Sequence, residues 1–211
     1  MNKASKRFFD FFFSLAGVII SFPFWILFSF LICIEDGFPV FYEQERVGKD
    51  SRIFKSFKFR SMIKTAEKEG PIQAKENDVR TTKIGRILRA TAMDELPQLW
   101  NILKGDMSFV GPRALRVVEI DNADGQYRRI WEFDGFKERS SIRPGLTGVA
   151  QVLAPRDISR GEKFKYDTWY VKNQNFYLDI KLIIISFLIT FTGKWEGRQE
   201  RFKLLTSGLR D

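Results

Sequence analysis

Histidine is absent from the 211 residues, and cysteine occurs once, at Cys33. The first absence excludes a His-based triad, a His general base and a His-rich metal site. The second excludes an intrachain disulfide and any multi-Cys zinc or iron–sulfur site. No G-x-G-x-x-G, P-loop or D-x-D pattern occurs either, so a Rossmann nucleotide site and a glycosyltransferase of the D-x-D type have no support. Chemistry must then come from carboxylates, Lys, Arg, hydroxyls and an oxygen-ligated metal such as magnesium. Positive charge is plentiful. Lys+Arg 35 against Asp+Glu 26 leaves +9, a balance that favours phosphates, nucleic acid or an acidic membrane surface as partners. The length suits one domain with appendages.

The longest uncharged run is Phe11 to Ile34. As a helix it would measure about 36 Å, enough to cross a hydrocarbon core of about 30 Å. It is too long for a signal peptide, and no A-x-A-like site follows it. Pro23 interrupts it and predicts a kink; Ser21 could satisfy the backbone groups the proline frees. Basic residues flank both ends: Lys3, Lys6 and Arg7 before it, Arg46, Lys49 and Arg52 after it. That distribution draws both ends to one side and favours a re-entrant hairpin, with a kinked span as the alternative.

Beyond Gly37 the pattern changes to a β-hairpin. Val40-Phe41-Tyr42 and Ile53–Arg60 read as strands around the turn residues Gly48–Ser51. Phe57 and Phe59 then face one side, Lys58 and Arg60 the other. Ser61–Asn77 reads as a short helix and a loop. Thr81 or Thr82 can cap a helix over Lys83–Ala92, and Gln126–Lys137 is predicted helical. Leu182–Gly193 is apolar but too short to span, so it is either a core helix or one lying in the headgroup region, with Tyr177, Lys181, Lys194 and Trp195 as anchors.

The most informative stretch is TAMDELPQLWNILKGDMSFVGPRA, residues 91–114. Leu96, Leu99, Trp100 and Leu103 have helical spacing. Pro97 fits only the first turn and Gly105 stops the helix, which predicts Met93 or Asp94 at the N-cap. A carboxylate there would stay ionised near phosphate-binding N–H groups, with Arg89 nearby. Such a group suits nucleophilic attack on phosphorus.

Together KRFFDFFFS (6–14), PVFYEQERVGKD (39–50), FKSFKFRSM (54–62), the block 81–114, IRPGLTGVAQV (142–152) and YDTWYVKNQNFYLDIKLI (166–183) resemble the bacterial sugar transferase family, the monotopic phosphoglycosyl transferases. The resemblance implies an α+β, mainly helical fold. It has a re-entrant membrane helix (1–36) broken at a Ser-Pro pair, a small β-hairpin, and a compact catalytic domain with interfacial amphipathic helices (37–195). Residues 196–211 are a polar tail. It implies a UDP-sugar donor, a polyprenyl phosphate acceptor, contact with membrane lipid, no nucleic acid, and a place on the cytoplasmic face of the bacterial inner membrane. A homodimer stays open. Asp94 matches the family's nucleophile and Glu95 the carboxylate associated with Mg2+. Lys58, Arg60, Arg89, Arg113 and Arg143 match phosphate- or nucleotide-handling positions.

There are departures. Phe22 separates Ser21 from Pro23, Ala114 replaces a proline, and Leu153-Ala154-Pro155-Arg156 stands where the family often has Asn-Gly-Arg after AQV, with Arg156 as the candidate displaced arginine. The rival reading is a membrane-anchored basic module that binds anionic lipid or nucleic acid without catalysis.

Overall fold

A computed structural model describes residues 3–66, 78–121, 124–155 and 158–192. Arg156, Lys194, Trp195, the 196–211 tail and most of the helix expected within Ser61–Asn77 lie outside the described residues.

Helix α1 (Lys3–Asp36) is continuous through Pro23. Ser21 Oγ donates to Val18 O at 3.4 Å and accepts from Trp25 Nε1 at 3.0 Å. The helix is long and apolar enough to cross a membrane, yet little of its apolar stretch is buried. The face that is buried carries polar anchors. Asp10 Oδ1 accepts from Ser108 Oγ and from Phe109 N, at 3.0 and 3.1 Å. Lys6 Nζ donates to Asp179 Oδ2 at 2.5 Å.

Strands β1 (Phe41–Val47) and β2 (Ile53–Phe59) form the expected antiparallel hairpin, with Tyr42 opposite Lys58 and Arg46 opposite Phe54. Phe59 is buried with Ile32, Val40 and Leu88, joining α1, the hairpin and α2 (Lys83–Ala90). Thr82 caps α2, its side chain accepting from Gly85 N. Helix α3 (Gln98–Lys104) ends at Gly105, whose φ of 95° is the left-handed C-cap that glycine adopts without a side-chain clash. Buried Asn101 ties α3 to β2: its Oδ1 accepts from Phe57 N at 3.0 Å and its Nδ2 donates to Lys55 O at 2.7 Å.

β3 (Ser108–Val110) pairs in parallel with β6 (Gly145–Thr147). A Cβ on Gly145 would lie 2.1 Å from Gly111 N. The Gly-Pro-Arg and Arg-Pro-Gly segments can meet only because glycine stands there. That contact gives the 142–148 stretch a strand inside what reads as turns.

β4 (Val118–Ile120) pairs with β5 (Tyr127–Arg129), and α4 is short (Phe136–Arg139). The helix expected over Gln126–Lys137 is therefore replaced by a strand, a 3-10 turn at Ile130–Glu132 and α4. Gly135, at φ 83°, divides the turn from α4, and Ile130 and Phe133 face the core from the irregular segment.

Helices α5 (Val149–Leu153), α6 (Arg160–Asn173) and α7 (Phe176–Thr192) complete a second core with Val110. In and beside 182–193, Leu178, Leu182 and Ile189 are buried, as a core helix requires, whereas Tyr177, Ile184, Phe187 and Leu188 are exposed.

Candidate active site

A cleft of about 530 Å³ runs along the hairpin. Its lining follows the order of β1. Pro39, Phe41, Met62 and Ile63 bring apolar surface to one end, beside Arg60 and Lys64, and Arg46, Arg113, Arg116 and Arg160 make the other a cationic wall. Lys58, Arg89 and Asp94 also line it. Lys58 is opposite Tyr42 in the hairpin, so its attachment is about 13 Å along the strand from that of Arg46.

The Asp94-Glu95 pair is presented by backbone geometry that differs from expectation. Ala92, at φ 55° and ψ 17°, ends the α2 segment in the left-handed region, and Met93–Glu95 form a separate 3-10 turn. The N-cap of α3 is Pro97. Asp94 is thus in the turn before the helix, not at its N-cap, because a non-glycine left-handed residue, costing about 1 kcal/mol or more, redirects the chain first. The charge on Asp94 is supported mainly by Lys58 and Arg89, with a smaller part from its own backbone N–H in the first turn of that 3-10 segment.

Those side chains set opposite titration behaviour for adjacent carboxylates. Loss of water, then the charge of Glu95, pushes Asp94 up to about 6, against the pull of Lys58 and Arg89. Glu95 also loses water, but Lys58, which is ion-paired to it, and then Arg113 and Arg46 outweigh that loss and hold it down at about 2. At neutral pH Asp94 is mostly anionic yet poorly stabilised as an anion. Glu95 is a fixed negative charge.

The predicted cations divide by position. Lys58 joins the dyad directly. Arg89 and Arg113 are exposed at the cleft. Arg60 lines it too, with Nη2 donating to Asp36 O and Gly37 O at 3.0 and 2.6 Å. Its Nε and Nη1 are buried with no hydrogen-bond partner among the described residues, a deficit of the kind a bound oxyanion repairs. Arg143 does not line the cleft. Its Nε donates to Gly105 O at 2.7 Å, at the C-terminus of α3.

Sequence reasoning missed Arg46, Arg116, Glu119 and Arg160. Only Arg46 carried a signal, because Tyr42, Gln44 and Arg46 alternate on one strand face; the others reach the cleft by tertiary folding. Burial, then Arg113 and Arg116, lower Arg46 to about 10, while Glu119 opposes the shift.

Among the described residues, no group of three His, Cys, Asp or Glu could hold a metal alone. Magnesium commonly takes one or two carboxylates, with waters and substrate phosphates completing its shell. Glu95, already paired with Lys58, is a single carboxylate and no prebuilt cage, so an ion held there would need substrate phosphates and water for the rest of its shell.

Comparisons with known proteins place the chain among sugar-phosphate transferases. The chain is 35% identical over 192 residues to the UDP-N-acetylgalactosamine-undecaprenyl-phosphate N-acetylgalactosaminephosphotransferase of Aeromonas hydrophila, covering 89% of this chain and 44% of that one. It is 35% identical over 199 residues to the UDP-glucose:undecaprenyl-phosphate glucose-1-phosphate transferase of Klebsiella pneumoniae, covering 92% and 42%. It spans less than half the length of these two relatives. Against the exopolysaccharide production protein PSS of Rhizobium leguminosarum bv. phaseoli it is 35% identical over 189 residues, covering 87% and 93%. Residues 1–193 match the family described as bacterial sugar transferase, and the chain belongs to that family.

Proposed function

We propose that the chain transfers a sugar 1-phosphate from a UDP-sugar to a polyprenyl phosphate such as undecaprenyl phosphate, in two displacements through Asp94. In the first, an Asp94 carboxylate oxygen bonds to the sugar-bearing phosphorus, and the bridging P–O bond breaks with its electron pair leaving on UMP. In the second, an acceptor phosphate oxygen bonds to the same phosphorus and the Asp94–P bond breaks. The carboxylate is restored and a polyprenyl diphosphate sugar is formed. No general base is required, because neither nucleophile must lose a proton at neutral pH.

One observation carries the reading. A half-buried carboxylate that is costly to ionise faces a cleft whose cations exceed its anions. Lys58, Arg89 and Arg113 offset the repulsion between Asp94 and the diphosphate and stabilise charge on the transferring oxygens. Bound at Glu95, magnesium would neutralise further diphosphate charge. The relatives' names supply the substrate classes.

The membrane placement is part of the proposal: residues 1–36 form a re-entrant element on the cytoplasmic face of the inner membrane, and 37–195 the domain above it. Support comes from both ends of α1 docking on that domain. Arg7 donates to Ile102 O and Leu103 O, and Glu35 accepts from Lys83 N and Ile84 N. A spanning helix would put these ends on opposite sides of the bilayer. The apolar end of the cleft, beside exposed Phe38 and Phe41, then faces the lipid acceptor.

Incubating the full chain with a panel of UDP-sugars and no acceptor tests the covalent step. One of them should release UMP and leave a phosphosugar mass on the peptide that contains Asp94, and polyprenyl phosphate should discharge it. Undiminished turnover by Asp94→Asn would end the proposal.

A further inference from the structure

The cationic end of the cleft has an internal organiser that the transfer chemistry does not use. Glu119, on β4, is the common partner of three elements. Its Oε2 accepts from Arg160 Nη2 at 3.0 Å, from the start of α6. Its Oε1 accepts from Arg116 N at 2.9 Å and lies 3.8 Å from Arg46 Nη1, on β1. The same Nη1 donates to Ala114 O at 3.1 Å, and Nη2 donates to Gln44 Oε1. Four guanidinium groups, those of Arg46, Arg113, Arg116 and Arg160, thus line a wall that includes one carboxylate. Without Glu119 that wall would lose the acceptor that directs Arg160 Nη2 and a carboxylate within ion-pair range of Arg46. With it, positive charge remains in excess and in fixed geometry, which is the condition for receiving an anion.

An aromatic ring completes this end. Tyr127, on β5, lines the cleft and is 57% exposed. A wall that combines an excess of guanidinium groups with an open aromatic face matches a phosphate joined to a flat base. A neutral sugar can lie on the ring but supplies no charge for the guanidinium groups.

Resting on the proposed transfer, we propose that this end holds the nucleotide half of the donor. Glu119 is its positioning residue, orienting Arg46 and Arg160 onto the phosphate of the departing UMP, and Tyr127 is the surface on which the base stacks. Charge on the leaving phosphate rises as the bridging bond breaks, and the arginines meet it there.

UMP itself is the probe, used as a product inhibitor of the full-length enzyme in detergent or nanodiscs. Tyr127→Ala should raise the Ki of UMP and the KM of the UDP-sugar in parallel by about tenfold, the cost of one lost stacking contact, while Tyr127→Phe keeps both. Glu119→Gln should raise the same two constants, with a smaller change in kcat, and Glu119→Asp should lie between Gln and wild type. Tyr127 is exposed, so its truncation keeps the test open should Glu119→Gln fail to fold. Wild-type turnover with unchanged UMP inhibition in both Tyr127→Ala and a folded Glu119→Gln overturns the inference and leaves the transfer reading standing. A change confined to discrimination among UDP-sugars, with the Ki of UMP fixed, would overturn it equally, because the wall would then face the sugar. Absence of UMP release by the wild type from every UDP-sugar would instead defeat the transfer reading itself.

Discussion

Two of the ion pairs that join distant parts of the chain differ in almost everything but that. Between α4 and α6, Arg139 and Asp167 meet at 3.0 Å with both side chains only 4% exposed. One carboxylate meets one guanidinium there in direct contact, with Arg160 farther off, and Arg139 also lies over the Phe164 ring at 4.4 Å. At the cleft, Lys58 and Glu95 are 22% and 24% exposed, and their surroundings are unbalanced, with Asp94 beside the pair and arginines beyond it. A sealed pair is out of reach of an incoming anion, so removing one member strands a charge. An open pair in an excess of cations can trade partners with an incoming anion. Water access and local charge balance, not the ion pair as such, separate a structural contact from a reactive one.

That contrast can be broken by substitution. Asp94→Asn should lower transfer by at least about 10³-fold, since the nucleophile itself is removed, as measured by UMP release. Its thermal midpoint at pH 7 should not fall. The raised folded-state pKa means the folded protein binds more protons than the unfolded chain between about 4 and about 6, so stability is lost as pH rises through that window. Asparagine, which does not ionise, escapes that loss.

Asp167→Asn should act first on stability, costing about 3 kcal/mol in denaturant unfolding by leaving Arg139 buried without its counter-ion. An equal loss of stability on changing Asp94 would erase the distinction. Lys58→Ala should slow turnover by about 10- to 100-fold, because it removes a charge-assisted partner of the reacting centre. The smallest effect is the pH profile. The rate should fall about tenfold per pH unit below about 6 as Asp94 takes up a proton, and in Lys58→Ala the limb should move to higher pH, because Lys58 lowers that pKa.

Local signals were readable where a residue type has one use. The turn between β1 and β2, the Thr82 cap, the Gly105 stop and the alternation of Phe57, Lys58 and Phe59 all follow from short-range rules, and they locate Lys58 and Arg89 as well as the fold elements. The start of α3 was misjudged because nothing in Thr91-Ala92-Met93 marks a left-handed alanine; the surrounding packing imposes it. Gln126–Lys137 was misread because its apolar residues serve a strand pairing and a core contact made with other parts of the chain. Glu119, Arg116 and Arg160 could not be found from spacing, since their shared surface exists only after β4, the preceding loop and α6 meet.

The long N-terminal helix also closes the ends of its neighbours. The Arg7 guanidinium caps the last carbonyls of α3, and the Glu35 carboxylate caps the first amides of α2. The Asp94 turn hangs between those two helices like a bridge between two piers. Cutting away the first 36 residues to make a soluble version would remove both supports at once. Such a fragment would lose activity toward even a water-soluble acceptor, and adding lipid would not bring it back; an added peptide carrying the missing caps is the reagent that could.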